Sequence, residues 1–272
     1  MNENRQENLV ADGHVKVTFD GAVAHVLLDR PEAANGMDVP FLRDLHGALL
    51  KVHGDRRVRA VLLSGAGKHF CAGGDVATFA EQGTGLPDYL REATTWLGNV
   101  ASTLLHLRAP VVTAVHGFAA GGGGFGLVCA SDIVVASESA RFLLGATRVG
   151  MAPDAGGTVT LPKLVGLRKA LEIALLNPTL SAAEALELGL VTRVVPDDRL
   201  LDEAWTVARQ LADGATLALA ATKRMLWDGV GATVDERLPE ESRTVSELAG
   251  TYDALEGLAA VIAKRAPEFE GR

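Results

Sequence analysis

Two cysteines, Cys71 and Cys129, are all that 272 residues contain, so no disulfide framework can brace the chain. Both sit among small residues, and the expectation is a pair of buried free thiols in a reducing cytoplasm. Aromatic residues are scarce at 5%, which leaves few platforms on which bases could stack. Charge argues the same way. The formal net charge is −8 and the pI about 5.4, and Lys and Arg are scattered singly or in short groups such as DRRVR at 55–59. A nucleic-acid binder would leave a basic footprint, so no nucleic acid is expected as partner. No apolar run reaches the roughly 18–20 residues of a membrane span, so no membrane is expected either. The first residues, MNENRQENLVADG, are polar and lack the apolar core of a signal peptide, and the expected location is cytoplasmic.

What is plentiful is small and aliphatic: 30 glycines, and 48% of residues in the apolar set. A chain of this length can hide about three-quarters of its unfolded surface. HVKVTF, a turn at Asp20–Gly21 and AVAHVLL alternate as a hairpin does. VPFLRDLHGALLKVH carries Phe41, Leu45, Leu49 and Val52 at helical spacing. VRAVLLSG, PVVTAV and DIVVAS are dominated by apolar runs without polar alternation, which suits parallel strands covered on both faces. Residues 76–107 read as mostly helical around a GTGLP loop, and Gly123–Ala130 as a short helix. From Leu161 onward helices dominate: KLVGLRKALEIALL, SAAEALELG, LLDEAWTVARQLAD and a long tract from Val234 to Lys264, with a strand in LVTRVV. The order predicts an α/β fold, with a disordered tail over 1–13, a core domain over 14–200 and a helical region over 201–272.

Four consecutive glycines, Gly121–Gly124, follow the PVVTAV strand. Gly121, Gly123 and Gly126 match the dinucleotide fingerprint GxGxxG, and Glu138 lies near where a ribose-binding acid would stand. Length rules against that reading. Asp132 opens the next strand about seven residues after Gly126, whereas a parallel crossover needs at least about 10–12. No Gly-Lys-Ser/Thr follows, so a P-loop is excluded. A second bend, SGAGKHFCAGGDV at 64–76, also joins a buried strand to a helix start. Glycines in either bend alone would be read as permitting a tight turn. Together the bends offer two bare backbone N–H groups at helix starts, which is how an oxyanion hole is built.

These residues resemble the crotonase superfamily of enoyl-CoA hydratases, isomerases and related acyl-CoA enzymes. The resemblance is carried by LDRPEAANG, FCAGGD, HGFAAGGGGFGLVCASDIVVAS, RFLLGATRVGMAPDAGGTVTLPKLVG, LSAAEALELGLVTRVV, ATKRML and IAKRAPEFEGR, in that order along nearly the whole chain. It implies a crotonase-like spiral of ββα units and a C-terminal helical trimerisation region, giving a homotrimer or a dimer of trimers. It also implies that an acyl-CoA thioester carbonyl sits between the amides of Gly74 and Gly123, with Gly122 taking the second place in the other register. No metal is implied, and no cofactor beyond the coenzyme A of the substrate. Asp75, Asp132 and His116 read as structural.

A hydratase of this family uses two glutamates, which would fall at Gly126 (or Phe125) and at Ala146; both carboxylates are absent. Asp154 in GMAPDAGGT remains. It reads either as a general base with its pKa raised by apolar walls (Leu143, Leu144, Met151) or as a cap for the following helix. The whole pattern looks closest to enoyl-CoA isomerases of the phenylacetate-pathway type. The expected reaction is therefore isomerisation of an enoyl-CoA thioester through an enolate, with Asp154 moving the proton. The alternatives are a hydratase working through Asp154 alone and a non-catalytic acyl-CoA-binding homologue. For the CoA and acyl portions the candidate contacts are Arg30 and Lys264–Arg265 toward phosphates, together with Ala72, Gly122 and Leu144. Phe79 and Trp96 are available for the acyl pocket.

Overall fold

The structure is a computed structural model that describes residues 7–272. β1 (Glu7–Val10) lies antiparallel to β2 (Val15–Asp20), which turns at Gly21 into antiparallel β3 (Val23–Leu28). The hairpin is where alternation placed it. Of the tail expected over 1–13, residues 1–6 lie outside the described part, and Glu7–Val10 forms an edge strand. α1 (Val39–Gly54) then returns the chain to β4 (Ala60–Gly65), and α2 (Val76–Glu81) with α3 (Leu86–His106) returns it to β5 (Val111–Val115). β6 (Phe118–Ala120) and α4 (Gly121–Cys129) lead to β7 (Ile133–Ser137) and β8 (Arg141–Leu143). After α5 (Gly157–Val165), α6 (Leu167–Leu176), β9 (Leu180–Ser181) and α7 (Ala182–Glu187) comes β10 (Arg193–Val195). The chain ends in α8 (Leu200–Ala212), α9 (Thr216–Gly229), α10 (Val234–Leu248) and α11 (Tyr252–Ala263).

The large sheet runs β1-β2-β3-β4-β5-β7-β10, parallel from β3 onward. Its apolar strands are covered on both faces, as their composition requires. Val61, Leu63, Val111 and Val115 face α1 and α3, while Ala60, Leu62, Val112 and Ala114 face Ala204, Val207 and Ala208 of α8. Each circuit of the spiral also lays down a short extended piece beside this sheet. Met37 bridges Gly74, Cys71 bridges Ala119, and β6, β8 and β9 form a three-stranded sheet. That second row of chain carries both glycine bends.

Two expected helices are divided. KLVGLRKALEIALL breaks at Gly166 (φ 78°, ψ 151°), which separates α5 from α6, and the tract from Val234 to Lys264 breaks between α10 and α11. α4 begins at Gly121 rather than Gly123, so the run enters the helix earlier than expected, while Gly121 itself is left-handed (φ 60°) and makes the bend. Glycine inside a helix costs about 1 kcal/mol relative to alanine. The reason it is used here is contact. A Cβ on Gly124 would overlap the Cys71 carbonyl oxygen and lie 3.0 Å from the Ala119 backbone, and one on Gly126 would lie 2.6 Å from the Ala155 Cβ.

Asn35 ties the first bend together. It is fully buried in the left-handed region (φ 55°), and its amide nitrogen lies 2.9 Å, 2.9 Å and 3.0 Å from the carbonyls of Ala66, His69 and Phe70. Its side-chain oxygen accepts from the Arg30 N–H at 2.9 Å. Asn35→Ala leaves these buried groups unpaired at about 1–3 kcal/mol each and puts a Cβ-bearing apolar residue at positive φ. A loss above about 3 kcal/mol is expected, read as a Tm lower by roughly 10 °C in a thermal melt.

Candidate active site

The two bends are in backbone contact. A Cβ on Gly73 (φ 100°) would lie 2.8 Å from the Ala120 carbonyl oxygen, one on Gly121 3.7 Å from the Gly74 nitrogen, and one on Gly123 3.1 Å from the Gly73 Cα. Only residues without a side chain let the chains approach so closely. The direction of the Gly74 amide follows from its bridge. The Met37 N–H donates to the Gly73 carbonyl (2.8 Å) and the Met37 carbonyl accepts from the Asp75 N–H (3.0 Å). In such a parallel bridge the Gly74 N–H is turned to the other side, toward the start of α4. The first amides of α4 precede the first intrahelical bond, and the Ala120 N-cap supplies no side-chain acceptor. The N–H groups of Gly122 and Gly123, and the positive end of the helix dipole, are thus free for a ligand oxygen.

Both bends open on a cavity of about 500 Å³ whose wall is almost wholly apolar. α3 supplies Leu86, Leu90, Ala93, Thr94 and Leu97 from one face, α2 supplies Val76, Phe79 and Ala80, and Leu143, Ala146, Val149 and Met151 close the other side. Among the described residues, the one titratable side chain on this wall is Asp154. It stands where a turn doubles back: Ala155 (φ 51°) and Gly156 (φ 73°) are both left-handed, and the Gly157 N–H donates to the Asp154 carbonyl at 2.8 Å. Ala155, buried against Gly126, anchors the turn. The Asp154 carboxylate lies against Gly122, so closely that a Cβ there would overlap Oδ1. Burial raises its pKa above the ordinary carboxylate value, and among the described residues no other residue donates a hydrogen bond to it. It does not cap α5, whose N-cap is Gly156 with no side-chain bond.

The other expected residues scatter. Ala72, Gly74, Gly122 and Gly123 line the cavity. Leu144 does not: strand alternation points Leu143 at the cavity and buries Leu144 in the core. Phe79 lines it, its ring tip against Gly74, whereas Trp96 turns away to pair with His46 at 5.6 Å. Arg30 is not free for a phosphate, since its guanidinium is held by Asp38 (3.2 Å), Asp75 (2.9 Å) and the Gly36 carbonyl (2.8 Å). Lys264 is the exposed, left-handed C-cap of α11 and lines no part of this cavity. Asp75 caps α2 through the Thr78 N–H, and Asp132 pairs with the buried Lys223 at 2.7 Å. Cys71 is no nucleophile: burial pushes its thiol up to about 12. Asn35 is the residue that sequence reasoning missed, although it lies within the quoted LDRPEAANG.

A spiral of strands in two rows, with paired glycine bends at the head of an apolar cavity, defines an enzyme of the crotonase superfamily. The family model described as enoyl-CoA hydratase/isomerase matches residues 18–272, and the chain belongs to that family. It is 37% identical over 252 residues to the 1,2-epoxyphenylacetyl-CoA isomerase of Escherichia coli, covering 92% of this chain and 95% of the relative. To a protein of Rhodobacter capsulatus named as a probable enoyl-CoA hydratase it is 36% identical over 258 residues, covering 95% and 98%. The crystal structure of an enoyl-CoA hydratase from Bacillus anthracis superimposes with a TM-score of 0.89 at 32% identity, covering 95% of this chain and 100% of that one.

Proposed function

We propose that the protein isomerises an enoyl-CoA thioester through an enolate, with Asp154 as the proton carrier. The observation that carries this reading is that, among the described residues, one carboxylate and no other titratable side chain faces the cavity beside the glycine bends. The thioester oxygen accepts hydrogen bonds from the Gly74 and Gly123 N–H groups. The Asp154 carboxylate removes a proton from the carbon next to the carbonyl, and the charge moves onto that oxygen. The resulting carboxylic acid returns the same proton to the far carbon of the dienolate, so that the double bond shifts and nothing is gained or lost. No cofactor is needed beyond the substrate's own coenzyme A. A two-glutamate hydration mechanism has no room at Gly126, where the Ala155 methyl group closes the site. The name of the 37%-identical isomerase supports the choice of isomerisation.

The test is a panel of enoyl-CoA thioesters followed for double-bond migration and for water addition. Migration without hydration is the expected result. Hydration alone would favour a hydratase working through Asp154, and binding without turnover a non-catalytic acyl-CoA binder.

The helical end exposes apolar side chains, among them Leu226, Val234, Leu258, Val261 and Ile262. This fits a trimer, or a dimer of trimers, built through the C-terminal helices. Light scattering of the purified chain should return three or six copies; a monomer would remove the assembly.

A further inference from the structure

We propose that Arg30 is a positioning residue: by bridging the N-caps of α1 and α2 it holds the Gly74 amide in its working direction. The inference rests on the oxyanion reading above. Each of the two carboxylates that Arg30 touches is divided between two tasks. Asp38 gives Oδ1 to the Phe41 N–H of α1 (2.8 Å) and Oδ2 to Arg30 Nη1, while Asp75 gives Oδ1 to the Thr78 N–H of α2 (3.1 Å) and Oδ2 to Arg30 Nη2. Nη1 also donates to the Gly36 carbonyl. One guanidinium therefore grips residues 36 and 38 on one side of the Met37–Gly74 bridge and residue 75 on the other. Gly74, with no side chain of its own, is held by the Phe79 ring on the side where a Cβ would stand, and through its neighbours by this clamp.

The clamp is largely closed to water. Side-chain exposure is 17% for Arg30, 14% for Asp38 and 12% for Asp75. Burial would raise the Asp75 carboxyl, but the Thr78 N–H and Arg30 hold it below its ordinary value. Without the cation, two carboxylates drawn to one point repel each other in a poorly solvated place. Asp75 then swings or protonates, and the peptide next to it loses its fixed orientation. The fork geometry matters as well as the charge: lysine offers a point charge that cannot hold two carboxylates and a carbonyl at once.

The experiment uses Arg30→Lys and Arg30→Met, with hexanoyl-CoA labelled with ¹³C at the carbonyl as the probe. Infrared difference spectra of the bound thioester read how strongly its oxygen is polarised, and calorimetry reads its affinity. In the unmutated protein the carbonyl band should move to lower frequency on binding. In both variants roughly half or more of that shift should disappear, because a displaced donor polarises the oxygen less. Affinity should change by less than about threefold, and kcat on the preferred enoyl-CoA should fall by about 30- to 100-fold with little change in KM. Should Arg30→Met fail to fold, Arg30→Lys decides alone. A carbonyl band in the variants equal to that of the unmutated protein overturns the clamp and leaves the oxyanion reading standing. So does a parallel loss of band shift, affinity and Tm, which marks a merely structural role. No shift in the unmutated protein overturns the oxyanion reading itself, and the clamp with it.

Discussion

Asp154→Asn is expected to lower isomerisation by at least about 100-fold while acyl-CoA affinity stays close to that of the unmutated protein, because a general base contributes about 10²–10⁴-fold and the amide keeps the shape of the side chain. The same substitution should stabilise the fold. Burial raises the Asp154 pKa, so the folded state binds its proton more tightly than the unfolded chain does. The charged form is therefore a penalty on folding. It is absent at pH below the ordinary carboxylate value, grows as pH rises through the raised folded value, and is complete above it. At neutral pH the variant should gain on the order of 1 kcal/mol, a few degrees in Tm, and this gain should vanish as the melts are taken to acid pH. kcat of the unmutated protein should fall on the acid side at a pH above the ordinary carboxylate range. Unchanged turnover in the variant would remove Asp154 from the reaction, and equal Tm values at neutral pH would remove the desolvation account.

How far a residue's fate could be read in advance depended on whether its partners are local. The β2–β3 hairpin, α1 and the strands β4, β5 and β7 carry their reasons within a few residues, as period-two alternation, period-3.6 alternation or unbroken apolar runs. β6, β8 and β9 have three, three and two residues, too few to display any period, and their pairing is decided by the spiral. That is why the sequence offers Leu143 and Leu144 alike as apolar walls for Asp154: a three-residue strand does not announce its phase. The sequence places the helix start at Gly123, whereas Gly121 and Gly122 join α4 as well, because contacts with Gly73 and Cys71, some fifty residues earlier, outweigh the low helix propensity of glycine. Arg30 shows the same limit. Nothing in LDRPEAANG reveals that Asp75 will meet its guanidinium, so an outward role toward phosphate was the natural expectation. Asp154 was legible as the one carboxylate left after the glutamate positions proved empty, but its seat against Gly122 needed the fold.

That seat makes two neighbouring glycines respond oppositely to the same change. Alanine at Gly122 puts a methyl group where the Asp154 carboxylate lies. The obstacle is the tip of a side chain facing an open cavity, so Asp154 yields and the backbone stays. The helix gains up to about 1 kcal/mol from the better helix former. Gly122→Ala should accordingly fold at least as stably as the unmutated protein and lose about 100-fold or more in kcat, since displacing a reacting group by an ångström already costs that much. Alanine at Gly124 meets the Cys71 carbonyl and the Ala119 backbone, which are fixed to one another by the Ala120 N–H to Cys71 carbonyl bond at 2.9 Å. Neither can move without parting the two bends. Gly124→Ala should lose about 3 kcal/mol or more, or fail to fold. Paired melts and kinetics check both. A Gly122→Ala protein with full activity would show that the carboxylate does not work from its observed place, and a stable Gly124→Ala protein would show that the two glycine bends are not packed backbone to backbone.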